Sequence, residues 1–111
     1  MNRKYLSGRC FEYRIKKYLE SKGWLAFRTA GSHGVADIIA LKEGVTLLVQ
    51  CKASPIPGIS KNDVKKIYSE SHRLQIRFLV ICRMNGSYNL SFYYAKSTGN
   101  LINIEEPLWI S

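Results

Sequence analysis

Apolar positions recur at helical spacing early in the chain and as short unbroken runs afterwards. Between Ser7 and Lys22, Phe11, Ile15, Tyr18 and Leu19 line one face of a predicted helix, with Arg9, Arg14, Lys16, Lys17 and Lys22 on the others. Ser7 is placed to cap its start. Gly23 is placed to end it, because glycine accepts the left-handed conformation that closes many helices. Trp24 to Arg28 is rich in strand formers and predicts a strand. Two further apolar runs, Asp37 to Leu41 and Val45 to Lys52, are joined by the turn Lys42-Glu43-Gly44 and fold back as a hairpin. Their nearly continuous apolar character predicts strands buried on both faces.

Pro55 and Pro57 put a loop across Ala53 to Ile59. Ser60-Lys61-Asn62-Asp63 resembles a capping box with Asp in place of Glu, and the helix it opens runs to about Arg73. Val64, Ile67, Tyr68 and Ser71 form its inner face, and Lys61, Lys65 and Lys66 its outer one. Ile76 to Arg83 is a strongly apolar strand, Asn85-Gly86 a hairpin turn, and Tyr88 to Lys96 the returning strand. The tail from Leu101 to Ile110 carries too many apolar groups to hang free, so it packs on the domain or forms a subunit contact. The order α-β-β-β-α-β-β predicts one α/β domain over residues 1–111, with a central mixed five-stranded sheet flanked by helices.

Composition narrows the class. With 111 residues and 46% apolar content, the chain suits one modest core. No apolar run reaches the roughly 20 residues that span a bilayer, so no membrane partner is expected, and the reading is a soluble, cytoplasmic protein. A formal charge of +9 points to a polyanionic partner, nucleic acid above all, without saying anything about catalysis. Cys10, Cys51 and Cys82 form neither a disulfide framework nor a zinc motif and read as small core residues. No small-molecule cofactor is implied.

The candidate chemistry lies at the polar ends of the hairpin. Strand alternation puts Gln50 and Lys52 on one face while Cys51 points the other way. Two polar groups at the end of an apolar strand need partners or a purpose. Asp37 opens the other strand beside them. The preceding loop, Thr29-Ala30-Gly31-Ser32-His33-Gly34, is small enough for a backbone to approach a phosphate. Asp37, the backbone carbonyl of Cys51 and Glu12, if the first helix crosses this edge, are oxygen donors of the kind Mg²⁺ uses. On the helix alone, Glu12 reads better as an ordinary ion pair with Lys16 four residues on.

Asp37 followed by Gln50-Cys51-Lys52 resembles the D…(D/E)-x-K signature of restriction-endonuclease-like nucleases. Glu12 in an N-terminal helix, Arg28 ending a strand, and Ala30-Gly31-Ser32 leading into Asp37-Ile38-Ile39-Ala40 make the stretch similar to the archaeal-type Holliday junction resolvases, viral members included. The resemblance implies a restriction-endonuclease-like fold and a homodimer that nicks four-way DNA junctions with Mg²⁺, for which Mn²⁺ substitutes. It implies that Glu12, Asp37 and Gln50 hold the metal, that Lys52 assists the attacking water, and that Arg28 and Ser32 contact the scissile phosphate. Arg9 and His33 are further candidate phosphate contacts, and Tyr13 a candidate DNA contact. Gln50 departs from the pattern, which has an acid there. Three readings follow: an enzyme that works with two carboxylates, an engineered Glu-to-Gln exchange, or a natural relative that only binds DNA. A nuclease acting on other DNA structures is a further alternative.

Overall fold

The computed structural model describes residues 3–29, 36–54, 58–83 and 89–111, with backbone alone for 3–8. Helix α1 (Arg3–Ser21) leads into strands β1 (Leu25–Arg28), β2 (Ile38–Lys42) and β3 (Val45–Lys52). Helix α2 (Lys61–Leu74) returns the chain to β4 (Arg77–Arg83), β5 (Leu90–Ala95) and β6 (Leu101–Ile104), and a 3-10 turn covers Leu108–Ile110. The strands form one sheet in chain order. Every seam is antiparallel except β3–β4, which is parallel because α2 carries the chain back along the sheet between those strands. Among the described residues no helix is long and apolar enough to cross a membrane.

Each helix covers one sheet face. The stripe Phe11, Ile15 and Leu19 of α1 is buried with Ala26, Ile38, Ala40, Leu47, Val49, Leu79 and Ile81. On the other face Val64 and Ile67 of α2 are buried, and Ile67 clusters with Phe78, Val80 and Cys82. Each such buried Val, Leu, Ile or Phe side chain stabilises the fold by roughly 1.5–3 kcal/mol before entropy is counted. Ser60 caps α2, its hydroxyl accepting from the Asp63 amide at 3.1 Å. Gly23, at φ 93°, ends α1 as expected.

Several expectations change. The sheet has six strands, not five. Ser97-Thr98-Gly99-Asn100 reverses the chain, with Gly99 at φ 92° and the Lys96 amide bonded to the Asn100 carbonyl, so part of the tail pairs with β5 as β6. Helix α1 begins at Arg3 rather than Ser7; no proline interrupts Arg3 to Leu6, so helical propensity carries the backbone past the expected cap. β2 is not buried on both faces. Ile38 and Ala40 are buried under α1, whereas Ile39 and Leu41 are exposed, because α2 packs on β4 and β5 and does not reach β2. Cys10 is exposed, one position off the stripe, while Cys51 and Cys82 are buried. The Asn85-Gly86 turn lies outside the described residues.

The tail packs on its own domain. Ile110 is fully buried, Trp24 Nε1 donates to the Ile110 carbonyl at 2.7 Å, and Trp109 Nε1 donates to the Tyr94 hydroxyl at 3.3 Å.

Candidate active site

The ends of β1 and β3 and the start of β2 meet at one edge of the sheet. The Asp37 amide donates to the Val49 carbonyl at 2.7 Å, one step beyond the last β2–β3 pair, which sets Asp37 beside Gln50. The Thr29 amide donates to the Asp37 carbonyl and its hydroxyl to the Ala36 carbonyl, fixing both ends of segment 30–35. The Asp37 carboxylate turns across the seam and accepts the Cys51 amide on Oδ2 at 2.9 Å. A residue's N–H and C=O leave a strand toward the same side. The Cys51 carbonyl therefore also faces this corner, past the point where β2 begins.

Glu12 enters from α1. Its expected partner, Lys16, pairs with Glu20 instead, at 3.3 Å. Glu12 is held by Arg28, whose Nε and Nη2 both donate to Oε1, at 3.2 and 3.0 Å. The Tyr13 ring lies against the same guanidinium at 4.4 Å. The sequence suggested Tyr13 only as a DNA contact, and its stacking on Arg28 was not foreseen. One-residue separations point apart on a helix, so only the path of β1 brings the two together.

Burial pushes the Asp37 carboxyl above its usual pKa; Glu12 pushes it further, and the Cys51 amide, Lys52 and Arg28 pull it back. All four charges thus act in one corner. Burial also raises the Cys51 thiol, with Asp37 and Glu12 adding to it, so the Cys51 side chain stays neutral there. Gln50 and Lys52 share the face opposite Cys51, half-buried, and neither makes a side-chain hydrogen bond or ion pair with the described residues. Arg9 lies on the exposed side of α1. Ser32 and His33 lie outside the described residues.

Glu12, Asp37 and the Cys51 carbonyl are oxygen donors of the kind that suits a hard divalent cation, and Gln50 carries an amide oxygen one step beyond the last β2–β3 pair. Among the described residues no three His, Cys, Asp or Glu side chains gather at one point.

A mixed sheet with an acid opening one strand and a polar-x-lysine run ending the next defines a restriction-endonuclease-like α/β fold. The structure of a Holliday junction resolvase, Hjc of the archaeal hyperthermophile Archaeoglobus fulgidus, superposes with a TM-score of 0.68 at 20% identity, over 89% of this chain and 84% of that one. The crossover junction endodeoxyribonuclease Hjc of Methanocaldococcus jannaschii is 36% identical over 88 residues. That match covers 78% of this chain and 65% of the relative, just under two thirds of its length. The chain belongs to the archaeal Holliday junction resolvase (Hjc) family, whose model matches residues 3–106.

Proposed function

We propose that residues 1–111 act as one nuclease domain that, as a homodimer inside the cell, nicks four-way DNA junctions in a Mg²⁺-dependent phosphodiester hydrolysis, with Mn²⁺ able to substitute. What carries this reading is that Glu12, Arg28 and Lys52 all act electrostatically on Asp37, whose carboxylate accepts the Cys51 amide, in a chain of net charge +9. The Methanocaldococcus relative's name, crossover junction endodeoxyribonuclease, supports the substrate class.

Glu12, Asp37, Gln50 and the Cys51 carbonyl would hold the metal, which when bound lowers the pKa of a water and offsets charge at phosphorus. Asp37 is oriented for this by the Cys51 amide, a bond that fixes Oδ2. Lys52 has no ion-pair partner among the described residues, so its ammonium is left to steer the attacking water and balance charge on the phosphate. Arg28 and Ser32 would contact the scissile phosphate, with Arg9 and His33 as further phosphate contacts. Two symmetric nicks require two equivalent sites, which a two-fold dimer supplies.

Gln50 favours a second reading, a nuclease scaffold that binds DNA without cutting it. Gln50 brings a neutral carbonyl where the family pattern has an anion, so metal affinity falls. Cleavage of fixed-arm and mobile-arm junctions, with Mg²⁺ and with EDTA, separates the two. Mg²⁺-dependent paired nicks, lost in Asp37→Asn with binding retained, support the enzyme. Cleavage persisting in Asp37→Asn or in excess chelator refutes it. Inactivity of the natural chain with activity gained by Gln50→Glu establishes the disabled scaffold.

A further inference from the structure

The Glu12–Arg28 pair occupies a carboxylate that the nuclease reading assigns to the metal. Two hydrogen bonds, at 3.2 and 3.0 Å, converge on Oε1. Both side chains are about a quarter exposed, so water screens the pair only in part. With Gln50 neutral, the described residues at the corner include two carboxylates, Glu12 and Asp37, and two cations, Arg28 and Lys52. A divalent ion entering here meets no net attraction from these four groups and a guanidinium already seated on one ligand. A DNA phosphate offers that guanidinium another anion, in the two-pronged geometry it prefers. Tyr13, half-exposed and stacked on the guanidinium, keeps Arg28 over the corner in either place, since a ring-face contact tolerates sliding that a hydrogen-bond fork does not.

We infer that Arg28 is a shared cation: it rests on Glu12 in the free protein and passes to a DNA phosphate on binding, so that metal and junction bind cooperatively. This rests on the nuclease reading and gives Gln50 a consequence. A site short of one negative charge loads its metal when DNA draws Arg28 away, which ties metal occupancy to substrate.

The test is Mn²⁺ affinity, read from the electron paramagnetic resonance signal of free Mn²⁺. The intact chain is titrated alone and with a four-way junction whose central linkages are phosphorothioates, to slow turnover. The junction is expected to tighten wild-type Mn²⁺ binding about ten-fold, within the usual range of coupling between sites. Arg28→Gln is expected to bind Mn²⁺ about ten-fold more tightly than wild type without DNA, and to gain little from the junction. Arg28→Lys, which keeps the charge, should behave as wild type when free. Equal wild-type affinities with and without junction, or Arg28→Gln binding Mn²⁺ no better than wild type, overturn the coupling and leave the nuclease reading standing. No Mn²⁺ binding in either state overturns both. Should Arg28→Gln fail to fold by near-ultraviolet circular dichroism, the wild-type arm decides. Linkage requires Mn²⁺ to tighten junction binding by the same factor.

Discussion

Asp37 is kept where the fold gains least from a carboxylate. Burial and Glu12 both disfavour its charge, and the Cys51 amide, Lys52 and Arg28 do not fully compensate. The free protein is therefore expected to gain stability from Asp37→Asn at neutral pH, by less than about 2 kcal/mol, since Asn can still accept the Cys51 amide. The sign follows from linkage. Below the pKa of the unfolded chain Asp37 is protonated in both states; as pH rises through the raised folded value, the wild type loses stability that the variant keeps. Urea midpoints from pH 3 to 8 should converge at the acid end and diverge above it. A variant less stable than wild type at pH 7 contradicts this account. The same corner shows what lies beyond a sequence. Glu12 had a lysine at the favoured four-residue spacing, yet it pairs with Arg28, sixteen residues on, because β1 lays that side chain beside α1. That Gln50 and Lys52 share a face was legible, because strand alternation alone puts a spacing of two on one face. The Arg28–Tyr13 stack and the Cys51 amide bond depend on tertiary geometry.

Pattern reading found both helices and the first five strands, with ends shifted by a residue or two at most places. It failed where tertiary packing decides. An apolar run such as Ile38 to Leu41 fits a strand buried on both faces or on one, and only the reach of α2 distinguishes them. The tail's apolar residues were visible, but not their partners, since Trp24 and Ile110 stand 86 positions apart. The Ser97-Thr98-Gly99-Asn100 turn was a usable signal for β6 that the apolar run after it masked. These contacts make the tail part of the core that seats α1 on the sheet. Ile110→Ala is expected to cost about 2–4 kcal/mol, the usual loss for a fully buried isoleucine. Chemical denaturation measures it; a loss under about 1 kcal/mol would mean that the tail is an accessory to the fold.

Seen whole, the molecule combines strong positive charge with an exposed apolar patch among its described residues. Leu25, Phe27, Ile39 and Leu41 stand side by side on β1 and β2, paired in register and 37–57% exposed. They occupy the sheet face that α2 leaves open. Leu74, at the end of α2, adds an exposed apolar side chain. The four strand side chains themselves offer a phosphate no hydrogen-bond donor. The homodimer proposed above would bury this patch, since two copies of an apolar face can pair across a two-fold axis and paired nicking would require the second copy. The strands that carry this face also carry Arg28 and lead from Asp37, which would couple the spacing of two active sites to the dimer contact. Phe27→Glu and Ile39→Lys place charge in the centre of the patch, on side chains already in water, so each should change the stability of one subunit by only about 0.5 kcal/mol. Sedimentation velocity should show a dimer for wild type and a monomer for either variant. On a cruciform plasmid the variants should nick one strand where wild type makes paired cuts and a linear product. Persisting dimers in both variants would move the subunit contact to another face while leaving the chemistry of the corner untouched.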